Sequence, residues 1–407
     1  MAKPRSNRVG LFIGFGVIVI VSGLILVANP QIRSDFRRVL GDIQYILEDI
    51  PLLFTPPTQT LTQQAGGGYP PSPVISGIEL DWSTRKSEAP GSGDWGITWA
   101  DDDHQYALWG NGGGFGGTDS DGRVYLGVVR IEGDKDDYQG FNVWGGKDPE
   151  KPAQFGGKSF SVISIDGTLF MWRCGDTDGI SAYDFQQLYQ STDHSQTWTF
   201  TGVELTPESF LAADRGFFCP IFLQFGQDYA GARDEYVYMY APEIQIAEWD
   251  VHQPGEITLM RVPKTELADL SQYEFFAGFD QDQNALWTED IMARLPVFDN
   301  GDLGVLHPAA SYNPGIDRYL LFVEHTAAAM GNISLYDAPE PWGPWTTVLF
   351  DDEFGVPFVS NDSTFMWVLP NKWLSPDGDE FVLIYTGKER FDAWSTIEGR
   401  FLLNPSS

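Results

Sequence analysis

Three features of this chain predict an all-β fold, and specifically a five-bladed β-propeller. Pairs of short strand-like segments joined by tight turns recur five times after Val74. Each pair is followed by further strand-like segments, as at 124–131, 257–262 and 333–336. Helical periodicity is almost absent from the same region, apart from a short turn around 264–270. A small sheet repeated five times fits a propeller in which each repeat is one blade. A β-sandwich is the main rival, because periodic strands suit both architectures.

Upstream of the repeats the reading is different. Residues 9–27 are nineteen uncharged, mostly apolar positions preceded by Lys3, Arg5 and Arg8. A spanning helix needs about 17–25 residues and a signal peptide's apolar region about 7–15. An uncleaved membrane anchor therefore leads, and a signal cleaved after the weak match Leu26-Val27-Ala28 is the alternative. The basic flank places the globular part outside the cytoplasm, with Arg33, Arg37 and Arg38 voting the other way. Ile32, Phe36, Val39, Leu40, Ile43, Leu47 and Ile50 recur at helical spacing and predict an amphipathic helix.

The expected division is thus a cytoplasmic tip and transmembrane anchor over 1–30 and the amphipathic helix over 31–54. A flexible linker rich in Pro, Gly, Thr and Gln follows over 55–73, then the propeller over 74–407. The strand pairs are 97–100 with 106–109, 160–165 with 168–172, 220–225 with 236–240, 309–312 with 319–324, and 364–369 with 381–385. Residues 74–82 are expected to complete the last blade beside 395–402, which removes a free sheet edge.

Charge excludes one class of partner. With 25 basic against 57 acidic side chains the net charge is −32, and a nucleic-acid ligand would need Lys and Arg for its phosphates. Cys174 and Cys219 either pair or remain two buried thiols. Without a CxxC or Cys/His cluster no zinc site is expected. No cofactor is expected either, a structural Ca2+ being the one ion the acids suit. The oligomeric state is not legible.

Residues 94–117, DWGITWADDDHQYALWGNGGGFGG, bring together what a sugar site needs: acids for proton transfer, flat rings for stacking and glycines for close approach. Propeller geometry then sorts the acids. The innermost strand of a blade starts at the ligand face and runs away from it, so the first hairpin turn lies on the opposite face. Asp101, Asp102, Asp103, Asp166, Asp234, Asp317, Asp377 and Asp379 occupy those turns and are expected to be structural. Asp94, Trp95, Trp109, Asn111, Lys158, Trp172, Arg173, Asp176, Asp178, Glu243, His307, Glu324, His325, Asn361, Asp362, Lys388 and Asp392 fall on the ligand face.

Ser191-Thr-Asp193-His-Ser195-Gln-Thr197-Trp198 resembles the Asp-box of sialidase-like propellers, with Ser195 where glycine is usual. That motif is structural: its Asp caps the turn between a blade's outer strands and its Trp packs between blades. Over 91–403 the chain resembles a bacterial family classed as a domain of unknown function and expected to form five-bladed propellers. The phrases carrying the likeness include TWADDDHQYALWGNGGGFGG, GRVYLGVVRIEG, FLQFGQDYAGARDEYVY, SYNPGIDRYLL and DAPEPWGPWTTV. The resemblance implies a relation to arabinanase-like glycoside hydrolases, hence hydrolysis of cell-wall polysaccharide. It also implies a catalytic aspartate just before the first strand, a position held here by Asp94. One departure is Gly110-Asn111-Gly112, where relatives carry Asp between the glycines; Asn111 can bind a hydroxyl but cannot take a proton.

The leading expectation is a membrane-tethered, extracytoplasmic, endo-acting glycoside hydrolase. Asp94 would be base or nucleophile and Glu324 proton donor, with Asp362 and Glu243 in reserve. Trp95 and Trp109 would stack on sugar, and Asn111, Lys158, Arg173, His307 and His325 would grip hydroxyls or an acidic substituent. The alternatives are a non-catalytic carbohydrate-binding or surface-recognition propeller, favoured by Asn111, and an envelope scaffold.

Overall fold

The computed structural model describes residues 58–62, 68–175, 185–206, 209, 216–244, 254–325, 331–355, 358, 364–388 and 391–405. Their architecture is all-β and propeller-like, built from five successive antiparallel meanders. The first comprises Ile97–Trp99, Gln105–Trp109, Gly127–Glu132 and Gln139–Trp144; the second comprises Val162–Ile165, Thr168–Cys174, Gln186–Ser191 and Thr199–Leu205. In the third, Ile221–Gln224, Tyr236–Ile244, Glu256–Pro263, Glu274–Phe279 and Ala285–Thr288 run outward in order, and the short strands Gly216–Phe217 and Pro296–Asp299 add to its middle. The fourth contains Leu306–Asn313, Arg318–Glu324, Ile333–Ala338 and Thr346–Asp351. The turn expected around 264–270 is a pair of 3-10 turns, Lys264–Glu266 and Leu270–Gln272.

The fifth meander is assembled from both ends of the domain. Phe365–Val368, Glu380–Lys388 and Phe391–Leu403 are completed by Ile75–Glu88, and then by Thr58–Thr62 at the edge. Ile75 opposes Leu403 and Ile78 opposes Phe401, so the expected closure of 74–82 against 395–402 is observed. Part of the stretch expected as a flexible linker instead belongs to the domain. Thr58–Thr62 pairs in register with Gly77–Asp81. Farther along, Tyr69 stacks on Phe298 at 5.0 Å and meets Tyr336 edge-on at 5.6 Å. Its hydroxyl accepts the Asp299 N–H, and Ser72 N–H donates to the Thr347 carbonyl. This strap ties the fifth meander to the third and fourth.

The innermost strands stand around one axis. A cavity of about 30 Å³ is lined by Gly96 and Ile97, Phe160 and Ser161, Ile221 and Phe222, Ala309 and Ala310, and Val368 and Leu369, so every meander contributes its first strand or the residues just before it. Neighbouring inner strands are stitched by side chains rather than by a continuous ladder. Thr98 Oγ1 accepts Ser164 N–H, Ser161 Oγ accepts Phe222 N–H, and Asn371 donates to Ser311 Oγ. Among the described residues the third and fourth share a backbone pairing, Leu223 beside Ala310 in parallel. At the seam between fifth and first, Trp95 meets Trp394 edge-on at 5.0 Å and its Nε1–H donates to the Ala393 carbonyl. Burial of such rings contributes several kcal/mol each.

Cys174 and Cys219 form a disulfide, joining the end of the second strand of one meander to the residues that open the next. The Ser191–Trp198 stretch forms the turn between the outer strands of the second meander. Asp193 accepts from Ser191 Oγ, Thr197 N–H and Thr197 Oγ1, while Trp198 packs with Leu108, Val128 and Met171 between the first two meanders. Ser195, at the position where glycine is usual, has φ 71°.

The expected membrane-anchored, extracytoplasmic placement is corrected: among the described residues no helix is long and apolar enough to cross a membrane. The apolar run at 9–27 and the helix predicted over 31–54 lie outside the described residues.

If the Tyr69 strap holds the closed ring, Tyr69→Ala will lower stability by about 2–3 kcal/mol. Urea unfolding of the full chain measures this, and a loss under about 0.5 kcal/mol would show the strap to be dispensable.

Candidate functional site at the mouth of the ring

Three residues with left-handed backbone lie at one end of the axis. Asp94 (φ 64°), Asn111 (φ 70°) and His307 (φ 42°) occupy a region that non-glycine residues seldom enter, and such residues concentrate at functional sites. Asp94 precedes the first strand, directly after Gly93, whose backbone exchanges hydrogen bonds with Gly110 at 2.9 and 2.8 Å. His307 sits where the register of its strand shifts between Leu306 and Ala309, a bulge that re-aims the side chain.

Two buried pairs of polar side chains, Lys158 with Asp94 and His307 with Glu324, occupy the mouth. Lys158, from the segment before the second meander, donates to Asp94 Oδ2 at 2.5 Å and to Asn111 Oδ1 at 2.7 Å. Both charged side chains are nearly inaccessible, at 2% and 4% exposure. Burial of either charge alone would cost several kcal/mol, so each requires the other. Gly110 makes room for them: a Cβ there would lie 2.4 Å from Lys158 Nζ and 2.8 Å from Asp94 Oδ2. This is the close approach the glycine-rich run allows. Across the mouth, Glu324 Oε2 and His307 Nδ1 are 3.0 Å apart, both buried. Glu324 Oε1 has no hydrogen-bond partner among the described residues.

These surroundings push two carboxyl groups upward. Burial raises the Glu324 pKa, the His307 hydrogen bond and charge oppose the shift, and the negative charge of Asp94 adds to it. Asp392 is pushed up to about 6, first by burial and then by the charge of Asp94, against the pull of Lys158 and a hydrogen bond from Asn111. Asp392 is partly exposed, and its carbonyl accepts the Gly91 N–H. Carboxyls in unequal environments are the requirement for one to hold a proton while another stays ionised.

The structure therefore brings Asp94, Asn111, Lys158, His307 and Glu324 together, and adds Asp392. It sends the other expected residues elsewhere. Trp95 and Trp109 are both fully buried. They form the support beneath the mouth, with the Trp109 Nε1–H on the Gly112 carbonyl, and present no face to a sugar. Glu243 is held by Arg294 through two hydrogen bonds of 2.7 and 2.8 Å, both side chains fully buried, which suits a brace and not a proton shuttle. Arg173 turns back to the Gly156 carbonyl and Gln187, with its guanidinium over Phe155 and Phe185. His325 lies between Ser334 and Asp352 and stacks on Phe350 at 3.9 Å, and burial lowers its pKa. Asp362 lies outside the described residues.

Asp392 was placed on the ligand face by the sequence but given no role. Its signal was the closing strand itself, which has to begin at the mouth if 395–402 pairs with 74–82. Tyr125 had no signal: it is 44% exposed, and its backbone carbonyl adjoins Gly110.

The acids assigned to first hairpin turns do serve there. Asp102 accepts from the Tyr106 hydroxyl, Asp234 from that of Tyr238 and Asp317 from that of Tyr312. The metal-ligating side chains that come within reach of a shared ion, among the described residues, are Asp101, Asp102 and His194. They belong to that turn layer and not to the mouth, where no ion-holding cluster occurs among the described residues.

Residues 160–357 match the family model of DUF4185, a domain of unknown function, within the stretch over which the sequence resembles such a family. No curated protein matches the chain. Several solved structures are similar in fold. A protein of Bacteroides ovatus is 10% identical, with 83% of this chain and 93% of that one covered and a TM-score of 0.48. The GH43_1 enzyme of Xanthomonas citri is 12% identical over 80% and 92%, with a TM-score of 0.44. The α-L-arabinofuranosidase of Fusarium graminearum is 10% identical over 77% and 98%, with a TM-score of 0.39.

The raised pKa of Asp392 has a stability consequence. A carboxyl whose pKa is higher in the folded protein favours folding while protonated, and that contribution is lost as pH rises through about 6. Asp392→Asn is therefore expected to leave the thermal midpoint nearly unchanged near pH 3 and to raise it at pH 7.5 by roughly 1–3 °C. Equal shifts at both pH values would contradict the placement of Asp392 beside Asp94.

Proposed function

We propose that the mouth is the active site of a glycoside hydrolase-like propeller that cleaves within polysaccharide chains, with cell-wall or environmental polymers of arabinan type as the first candidates. The observation that carries this reading is the convergence of Asp94, Glu324 and Asp392 at one end of the axis in unequal electrostatic surroundings. Glycoside hydrolysis needs a protonated carboxyl to donate to the leaving oxygen and an ionised one to activate water or attack the anomeric carbon. Asp94, held by a cation, suits the base or nucleophile. Glu324, raised by burial and carrying an oxygen without a partner, suits the donor. Asp392 is the second candidate donor, and its partial exposure puts it where a substrate arrives. Asn111 and His307 would bind hydroxyls and Lys158 would hold Asp94 in place. The glycan is the expected partner.

A second reading has its own support. Lys158 Nζ lies on the same Asp94 oxygen that Asn111 approaches, so one oxygen of the proposed base is already engaged. A propeller that binds carbohydrate without cleaving it would tolerate this arrangement better than an enzyme would.

Reducing-end release from arabinans, arabinogalactan and a panel of acidic glycans separates the two. Release by the wild-type chain should fall by about 10²–10⁴-fold in Asp94→Asn and Glu324→Gln. Release that survives both changes would remove this site from the chemistry. Glycan binding without any release would establish the binding reading.

A further inference from the structure

We infer that the Cys174–Cys219 disulfide is a positioning element of the mouth, which holds Lys158 against Asp94, and not only a staple between two sheets. The contacts form a short chain. Lys158 and Cys174 exchange two backbone hydrogen bonds of 2.7 Å outside any regular strand pairing. The residue before Lys158, Gly157, has φ 90°, and a Cβ there would lie 2.9 Å from the Cys174 carbonyl, so the lysine segment is pressed onto the cysteine. Arg173 reaches the same segment from the other side by donating to the Gly156 carbonyl at 2.6 Å. The backbone of the lysine thus rests on the end of the strand Thr168–Cys174.

That strand end is in turn fixed by the third meander. Cys219, bonded to Cys174, precedes the inner strand Ile221–Gln224, and its Sγ also contacts the Trp172 carbonyl at 3.8 Å. Both cysteines are buried, at 0% and 1% exposure. The next residue back, Phe218, packs on Phe160 at 5.4 Å, and Phe160 packs on His307 at 5.2 Å. His307 holds Glu324. The disulfide therefore lies between the two side-chain pairs of the mouth, one side leading through Lys158 to Asp94 and the other through Phe218 and Phe160 to His307 and Glu324. It joins the two meanders at the backbone of the cation that neutralises Asp94.

Stability coupling tests the inference without reference to any catalytic activity. In the full chain, Lys158→Met is expected to lower the denaturation midpoint when the disulfide is intact, because Asp94 is left buried without its partner. In a Cys174→Ala/Cys219→Ala background the same change should cost less than half as much, since Lys158 is no longer held in place. Equal losses in both backgrounds would overturn the proposal and leave the disulfide as a staple, because independent sites add. If the double alanine variant does not fold, amide exchange in the wild-type chain before and after reduction decides. At least tenfold faster exchange at Lys158 and Cys174, with Met171 unchanged, is expected. A uniform change across that strand would overturn it.

Discussion

Closure of the ring is the constraint on which the rest of the structure depends. Ile75–Glu88 supplies the fourth strand of the last meander by pairing with Phe391–Leu403, and the chain then passes directly into the residues before the first strand. Asp94 and Asp392 come from opposite ends of the domain, and this pairing makes them neighbours. The Gly91 N–H on the Asp392 carbonyl and the Trp95–Trp394 contact are the same seam seen from the mouth and from the core. Without closure there would be a free sheet edge and no constellation of carboxyls. The fold and the candidate site are therefore coupled at one place.

Electrostatics at that place is resolved by pairing and not by solvation. Asp94 and Glu324 are both buried, and each is matched with a group from another segment: Lys158 from the start of the second meander, and His307 from a bulge in the fourth. Asp392 is left with the smaller share of compensation, which is why its proton is held so far above the usual carboxylate range. A site arranged in this way contains acids of different character without any change of residue type.

Legibility in the sequence differed sharply between backbone and side chains. The five hairpins, the closing strand and the turn positions of Asp102, Asp234 and Asp317 were readable, because strand periodicity and turn chemistry are local. The roles of single residues were less so. Trp95 and Trp109 looked like sugar platforms because they flank Asp94 and Asn111, yet an indole beside a tight glycine turn can point inward as easily as outward. Glu243 and Arg294 lie 51 residues apart, and nothing in either neighbourhood signals their bidentate pairing. The stretch 55–73 has a linker's composition, but Tyr69 finds an aromatic pocket made by Phe298 and Tyr336 that no local pattern announces.

By itself the sequence determined the all-β class, the fivefold repeat and the strongly acidic net charge. These follow from short-range rules: alternation along a strand, glycine and aspartate in turns, and the direction in which a hairpin returns. The tertiary structure alone decided which acid meets which cation, that Cys174 and Cys219 pair, and that Asp392 joins Asp94. Those outcomes depend on contacts between residues tens to hundreds of positions apart. Their energies come from burial and charge pairing, which exist only once the ring has closed.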